Sequence, residues 1–287
     1  MRLSAGPGRT ILAAVALSLF AAALVDGPAK AMRDSALVTA VYDGGSEAAV
    51  IEDGPTKAAR DSAVVMAVLD GDTVKVRFDD GAERKVRLIG IDSPELADSR
   101  DSVRFMALMA RRFAYLRLKG RRVGLAYEWP LEDKYGRLLA YLTPDDGALF
   151  NEEILKEGFA RVLRAFPHDP EMMKRFERAE AAAKQAGNGL WAKDGPPGVS
   201  EAEIGRHLGR LVTVPLVVAR TETRRGFVVL HPRAGDFEVL IPGSSLQSFG
   251  PVKDLDGRSV RVSGLVESYH GRIQILVYLP FQIAADS

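Results

Sequence analysis

Ala63-Val64-Val65-Met66-Ala67-Val68-Leu69-Asp70-Gly71-Asp72-Thr73-Val74-Lys75-Val76-Arg77-Phe78 decides how this chain is read. Residues 63–69 are apolar throughout. After the Asp-Gly-Asp-Thr turn, Val74, Val76 and Phe78 alternate with Lys75 and Arg77. A period of two marks a strand with one buried face. Asp79-Asp80-Gly81 is a hairpin signal, and Val86-Arg87-Leu88 continues the next strand. Further on, Val103, Met106, Met109 and Phe113 have helical spacing within residues 101–118, Val123, Leu125 and Tyr127 alternate again, and residues 138–142 follow as a strand. Residues 151–157 and 170–186 read as helices that stop at Gly158 and at Gly187-Asn188-Gly189, where a left-handed cap costs little. Strands followed by helices predict an α+β domain.

Asp194-Gly195-Pro196-Pro197-Gly198 has the composition of a linker. Beyond it five strands are predicted at residues 211–219, 227–230, 237–241, 260–266 and 273–277, with one or two helical turns at 244–249. Five strands with a helical piece between the third and fourth is the order of an OB-type barrel, although other small barrels share the count. Here Arg224 and Arg225 precede Phe227, Arg233 lies near Phe237, and Tyr269 sits in a turn. Cations beside aromatic rings suit single-strand binding. The alternative is that the phenylalanines are core and the arginines solubilise loops.

The chain has 287 residues, 47% hydrophobic and 27% charged, with a net charge of +1. This is the composition of a globular protein of about two domains. It is not that of a basic coat protein, so any polyanion must be met by local patches. Arg111, Arg112, Arg117, Lys119, Arg121 and Arg122 form one such patch, whose alternative is a solvated helix face. The absence of cysteine excludes disulfides, thiolate metal sites and a cysteine nucleophile. The four histidines are scattered without ligand spacing.

At the N-terminus, Arg2 and Arg9 precede an apolar run, residues 11–25, and Ala29-Lys30-Ala31 offers a small-x-small cleavage site. The run is short for a membrane span and suits an export signal, so the protein is expected to be periplasmic or secreted. The alternative is an N-terminal membrane anchor. Asp26-Gly27-Pro28 and residues 30–44 recur as Asp53-Gly54-Pro55 and residues 57–71, but the first copy has Gly45 where the second has Asp72. Residues 32–61 read as a poorly ordered leader holding this partial duplication; the alternative is an extra strand.

Chemistry concentrates in three stretches: Asp70-Gly71-Asp72-Thr73, Arg87 through Glu95, and Asp133-Lys134-Tyr135-Gly136-Arg137. Asp70, Asp72, Asp92 and Glu95 are hard oxygen donors, suited to calcium or magnesium. Pro94 turns the chain after Ser93 and so can aim Glu95 back toward the others. Close carboxylates repel one another unless a cation sits among them. Arg87 and Arg137 are permanent cations that can donate paired hydrogen bonds to phosphate oxygens. Arg87 lies on a strand face opposite Val86 and Leu88. Together these groups suit phosphodiester cleavage.

Residues 63–192 resemble the thermonuclease, or staphylococcal nuclease-like, family. The matched segments are Val68 through Thr73, Val86 through Glu95, Asp133 through Tyr141, Asn151 through Val162, and the final helix to Leu190-Trp191. The resemblance implies a five-stranded OB-like barrel with three helices, one Ca2+, and hydrolysis of DNA and RNA to 3′-phosphate products. It makes Asp72, Asp92 and the Ser93 carbonyl the metal ligands, with Asp70 supporting them from further out. Glu95 would orient or deprotonate the attacking water, while Arg87 and Arg137 bind the phosphate. Lys134 and Tyr135 would line the nucleotide cleft. Arg164 and Phe166 stand where the family has two substrate-contacting tyrosines. The loop after Glu95 is shorter than usual.

The expected organisation is a signal at 1–31, the leader at 32–61, a nuclease-like domain at 62–194, and a smaller OB-like barrel at 200–287. The expected activity is that of a calcium-dependent nuclease acting on DNA or RNA without an implied protein partner. The alternative is a catalytically silent nucleic-acid-binding protein on the same fold.

Overall fold

A computed structural model describes residues 38–40, 50–52, 60–164 and 169–285. The apolar N-terminal run and the small-x-small stretch expected to be a cleavage site lie outside these residues. Within the duplicated leader, β1 (Val38–Ala40) pairs antiparallel with β2 (Val50–Glu52), forming a two-stranded sheet of their own.

The first barrel is built from β3 (Arg60–Val68), β4 (Thr73–Phe78), β5 (Glu83–Leu88), β7 (Arg122–Glu132) and β8 (Leu138–Pro144). They close in the order β3-β4-β5-β8-β7, with β5 and β8 parallel. This is the connectivity of an OB barrel. Val74, Val76 and Phe78 turn inward and Arg77 outward, as the alternation requires, and Val65, Val86, Leu88, Leu125 and Leu142 fill the interior. Between β5 and β7 run the short β6 (Ile91–Asp92) and helix α1 (Asp101–Leu118). Helix α2 (Phe150–Lys156), strand β9 (Arg161–Val162) and helix α3 (Pro170–Ala186) complete the domain. Helix α3 starts under Asp169, whose side chain accepts the Glu171 N–H at 2.7 Å, and ends on left-handed Gly187. Gly158, at φ +74°, allows α2 and the end of α3 to meet backbone to backbone: a Cβ there would stand 2.2 Å from the Asn188 carbonyl oxygen.

The second barrel comprises β10 (Leu211–Arg224), β11 (Phe227–Pro232), β12 (Phe237–Pro242), β13 (Ser259–Tyr269) and β14 (Arg272–Leu276), with β15 (Ile283–Ala285) beside β13. The β10–β13 pairing closes it, and β12 and β14 are parallel, so the OB order repeats. Two short 3₁₀ turns, Gly243–Ser248 and Val252–Leu255, stand where the first barrel has α1.

The proline- and glycine-rich connection between the barrels is docked rather than free. The Val199 N–H donates to the Thr213 carbonyl, and the Thr213 N–H to Pro197. The barrels are also latched directly. Arg112 on α1 donates twice to Glu267 on β13, at 2.5 and 2.7 Å, and Gln274, opposite Glu267 in the β13–β14 register, donates to the same carboxylate. The Glu267 side chain is only 1% exposed, so its charge depends on these donors. Arg210 pairs with Glu157 at 2.7 Å, and Phe105 meets Phe281 edge-on at 5.6 Å.

Two stability outcomes follow. Arg112→Met strands a buried carboxylate and should cost about 3–5 kcal/mol in urea unfolding, most of it recovered by adding Glu267→Leu. Glu180 on α3 accepts the Val162 N–H at 2.9 Å and pairs with Lys184 at 2.7 Å. Burial pushes its carboxyl up, yet Lys184 and the Val162 N–H outweigh that and hold it below its ordinary value of 4.5. Its stabilisation is therefore complete above about pH 4.5 and lost as the pH falls through the folded value. The urea midpoints of the native chain and Glu180→Gln should converge below about pH 4.5.

Candidate active site

Strand register brings the first two acidic stretches together. Thr73 pairs with Arg87 across β4 and β5, and the Leu88 N–H donates to the Asp72 carbonyl at 2.9 Å. The chain then reverses through Ile89 and Gly90 and returns as β6, ending at Asp92. Helix α1 lies against the Asp-Gly-Asp turn. A Cβ at Gly71 would stand 2.8 Å from the Cβ atoms of both Ala110 and Ser93, so this approach requires glycine.

Arg87 is the hub. Sequence alternation points its side chain away from the barrel interior, and it does leave that interior. It is nevertheless buried, because the returning Ile91–Asp92 segment covers it. Its guanidinium donates to the Ile91 carbonyl at 2.8 Å and to the Leu88 carbonyl at 3.2 Å. One terminal nitrogen lies 3.1 Å from Asp92 Oδ1 and 3.3 Å from Asp72 Oδ2. Two carboxylates, one from the β3–β4 turn and one from β6, thus converge on one point.

Asp72 is buried and fully engaged. Its Oδ2 accepts the Ser93 N–H at 2.7 Å and the Ser93 hydroxyl at 2.8 Å, and its Oδ1 accepts the Thr73 hydroxyl at 2.9 Å. The contacts that tie Ser93 to the site therefore run through its N–H and hydroxyl, in addition to the carbonyl that the resemblance singles out. Burial pushes the Asp70 carboxyl up, the Asp72 charge adds to this, and Arg111, Arg87 and Arg137 pull it back down. Asp92 is also raised, first by partial burial, with Arg87 opposing and Asp72 reinforcing.

The carboxylates gathered around Arg87 are what a bound cation would meet. Among the described residues no group of three or more His, Asp or Glu side chains is gathered in metal-holding geometry. Two converging carboxylates flanked by a third remain, all oxygen donors. That donor chemistry fits a hard divalent ion such as Ca2+, which completes its shell with carbonyls and water.

The other predicted residues border this centre. Asp133 accepts the backbone N–H groups of Tyr135 and Arg137 and holds the Arg137 guanidinium at 2.7 Å. Arg137 also lies 5.5 Å from the Tyr135 ring centroid, and Lys134 lies 5.1 Å from it. Tyr135 itself is 72% exposed. Glu95 is exposed beyond Pro94, with no side-chain partner among the described residues. Arg164 is turned to α3, where it donates to Glu177 at 3.0 and 3.2 Å. Phe166 lies outside the described residues.

Two arginines join the site that sequence patterns did not single out for it. Arg161 stands opposite Asp92 in the β6–β9 pairing and lies over Trp191 at 4.9 Å. Arg111 follows Ala110 on α1 and acts on Asp70. A two-residue strand between helices carries no periodicity, and Arg111 read as one member of a basic run. That run is spent largely on packing: Arg117 pairs with Asp146 and Glu153, and Arg122 with Asp79.

A family model described as "Staphylococcal nuclease homologue" matches residues 85–193. Among curated proteins, the chain is 34% identical over 111 residues to a thermonuclease of Staphylococcus intermedius, covering 39% of this chain and 65% of that protein. It is 32% identical to a thermonuclease of Staphylococcus hyicus, covering 38% and 64%. It is 28% identical over 120 residues to endonuclease YhcR of Bacillus subtilis, covering 39% and 10%. The chain therefore spans less than two thirds of the length of these relatives. The matched segment carries Arg87, Asp92, Glu95 and Arg137, and the barrel closes β3 and β4, with Asp70 and Asp72 between them, onto it. By that match, residues 85–193, which build most of the first barrel and its helices, are similar to the staphylococcal nuclease homologue family.

Proposed function

We propose that the first barrel hydrolyses phosphodiester bonds of DNA, RNA or both, with Ca2+ as its cofactor. The observation that carries this is the convergence of Asp72 and Asp92 on one nitrogen of the buried Arg87 guanidinium. A scaffold that only bound nucleic acid would have no use for an anionic centre at its phosphate site, since carboxylates repel phosphates.

In this reading Asp72, Asp92 and the Ser93 carbonyl hold the ion, and Asp70 supports them through its charge. Bound there, Ca2+ neutralises phosphate charge and lowers the cost of forming hydroxide. Arg87 and Arg137 donate to the phosphate oxygens as negative charge grows on them. Asp133 fixes the Arg137 fork before substrate arrives, so little orientation is lost on binding. Glu95, exposed beyond Pro94, takes the proton of the attacking water. Water adds to phosphorus as the bond to the 5′-oxygen breaks, leaving a 3′-phosphate and a 5′-hydroxyl. Tyr135 and Lys134 line the approach of the nucleotide, and Arg164 lies at its rim. The apolar segment at residues 11–25 supports export to the periplasm or medium, or attachment to a membrane at the N-terminus.

The full chain, incubated with end-labelled single- and double-stranded DNA and with RNA, should cleave with Ca2+ and not with EGTA. Glu95→Gln should reduce turnover by about 10²–10⁴-fold with strand binding little changed. Undiminished cleavage would remove Glu95 from the mechanism, and binding without calcium-dependent cleavage would leave a binder in place of an enzyme. Arg87→Gln and Arg137→Gln should each lose on the order of 10²–10³ in kcat. Arg87→Gln should lower the urea midpoint more than Arg137→Gln, because it strands two carbonyls and two carboxylates whereas Arg137→Gln strands Asp133 alone; equal midpoints would refute the hub role of Arg87.

A further inference from the structure

A cleft of about 620 Å³ lies between the two barrels. Its inner end is formed by Asp92 and Ser93, residues of the site described above. One wall is the start of α1, with Arg100 and Phe105, and another is Arg161 with Leu190 and Pro196. The second barrel supplies the facing side, including Phe281. The volume lies within the range of ligand clefts, about 300–1,000 Å³.

Three observations say what fits there. Arg161 faces Asp92 across β6 and β9, yet has no carboxylate within ion-pair distance among the described residues; its guanidinium rests on Trp191. Arg100 adds a second cation, held by Asp98 at 2.7 and 3.0 Å in a fixed orientation. Phe281 is 46% exposed although it is a large apolar ring, and it touches Phe105 edge-on. Cations spaced along a groove beside an exposed ring are the features that hold an unpaired nucleic-acid strand, through its phosphates and through stacking on a base. A duplex keeps its bases stacked inside and gives such a ring nothing to stack on.

On the second barrel away from the cleft, Arg224 and Arg272 share Glu238, Arg220 pairs with Glu222, Phe237 is core and Tyr269 is exposed. The Arg112–Glu267–Gln274 latch and the Arg210–Glu157 pair keep the cleft at one width.

We propose that the inter-barrel cleft is a binding groove for the single strand of nucleic acid that flanks the scissile phosphate, and that the second barrel is there to build its far wall. The substrate class rests on the nuclease reading above; the groove itself is tested without cleavage. Ser102 lies exposed at the cleft on the first turn of α1, and Ser102→Trp fills the space with a ring. In EGTA, fluorescence anisotropy of a labelled single strand of about 12 nucleotides should show Kd raised about tenfold by Ser102→Trp and by Arg161→Gln. With Ca2+, the KM for that strand should rise similarly in Ser102→Trp, while the KM for bis(p-nitrophenyl) phosphate, too small to extend along the cleft to residue 102, moves less than about twofold. Unchanged Kd in both variants, no strand binding by the native chain, or an equal loss of duplex binding would overturn the groove. Absence of hydrolysis by the native chain, with the Kd changes present, would sink the nuclease reading and leave the groove standing.

Discussion

The arrangement of the first domain depends on one buried cation. Arg87 leaves the barrel from β5 and is then covered by its own chain, which turns back to end on Asp92. A guanidinium out of water must be satisfied on most of its donors. Here two backbone carbonyls and two carboxylates, from the β3–β4 turn and from β6, do so. That requirement fixes the reversal after β5, the position of Asp92 and, through Ser93, the Asp72 side chain. Partial burial raises the Asp70 and Asp92 carboxyls, and the Asp72 charge adds to both while Arg87 opposes it. The site is held together by Arg87 and gathers carboxylate oxygens, donors that suit a hard cation.

The second barrel changes the meaning of helix α1. Seen alone, α1 is the helix that closes the first barrel and presents Ala110 to the Gly71 turn. Its other face carries Arg112 into a buried pair with Glu267. One helix therefore touches the acidic turn on one side and the second barrel on the other. An ion pair of this kind contributes little net stability against an apolar alternative, but it is costly to break from one side. Its effect is to define orientation, and a defined orientation is what a groove shared by two barrels needs.

Much of the fold was legible because local pattern and burial coincide. The alternation of Val74, Val76 and Phe78 became an inward-facing strand, and the Asp169-Pro170 start and Gly187 stop became the caps of α3. The OB order of the second barrel followed from strand spacing with helical turns between the third and fourth strands. The basic run on α1 was less transparent. Composition marks cations but not their partners, and Asp146, Glu153 and Glu267 are remote in sequence from the arginines they neutralise.

The sequence alone determined which side chains are available: two acidic stretches, two arginines suited to phosphate, no thiols, and strand patterns that close into barrels. Those properties depend on residue type and on neighbours a few positions away. Tertiary structure decided which of these groups meet. Only the β4–β5 register and the β6 reversal place Asp72 and Asp92 on one nitrogen of Arg87. Only the β6–β9 pairing sets Arg161 opposite Asp92, and the Arg112–Glu267 latch, the Arg210–Glu157 pair and the Phe105–Phe281 contact together bring Phe281 to the same cleft. These contacts join residues far apart along the chain, and their strength comes from shared burial, a property no local pattern carries.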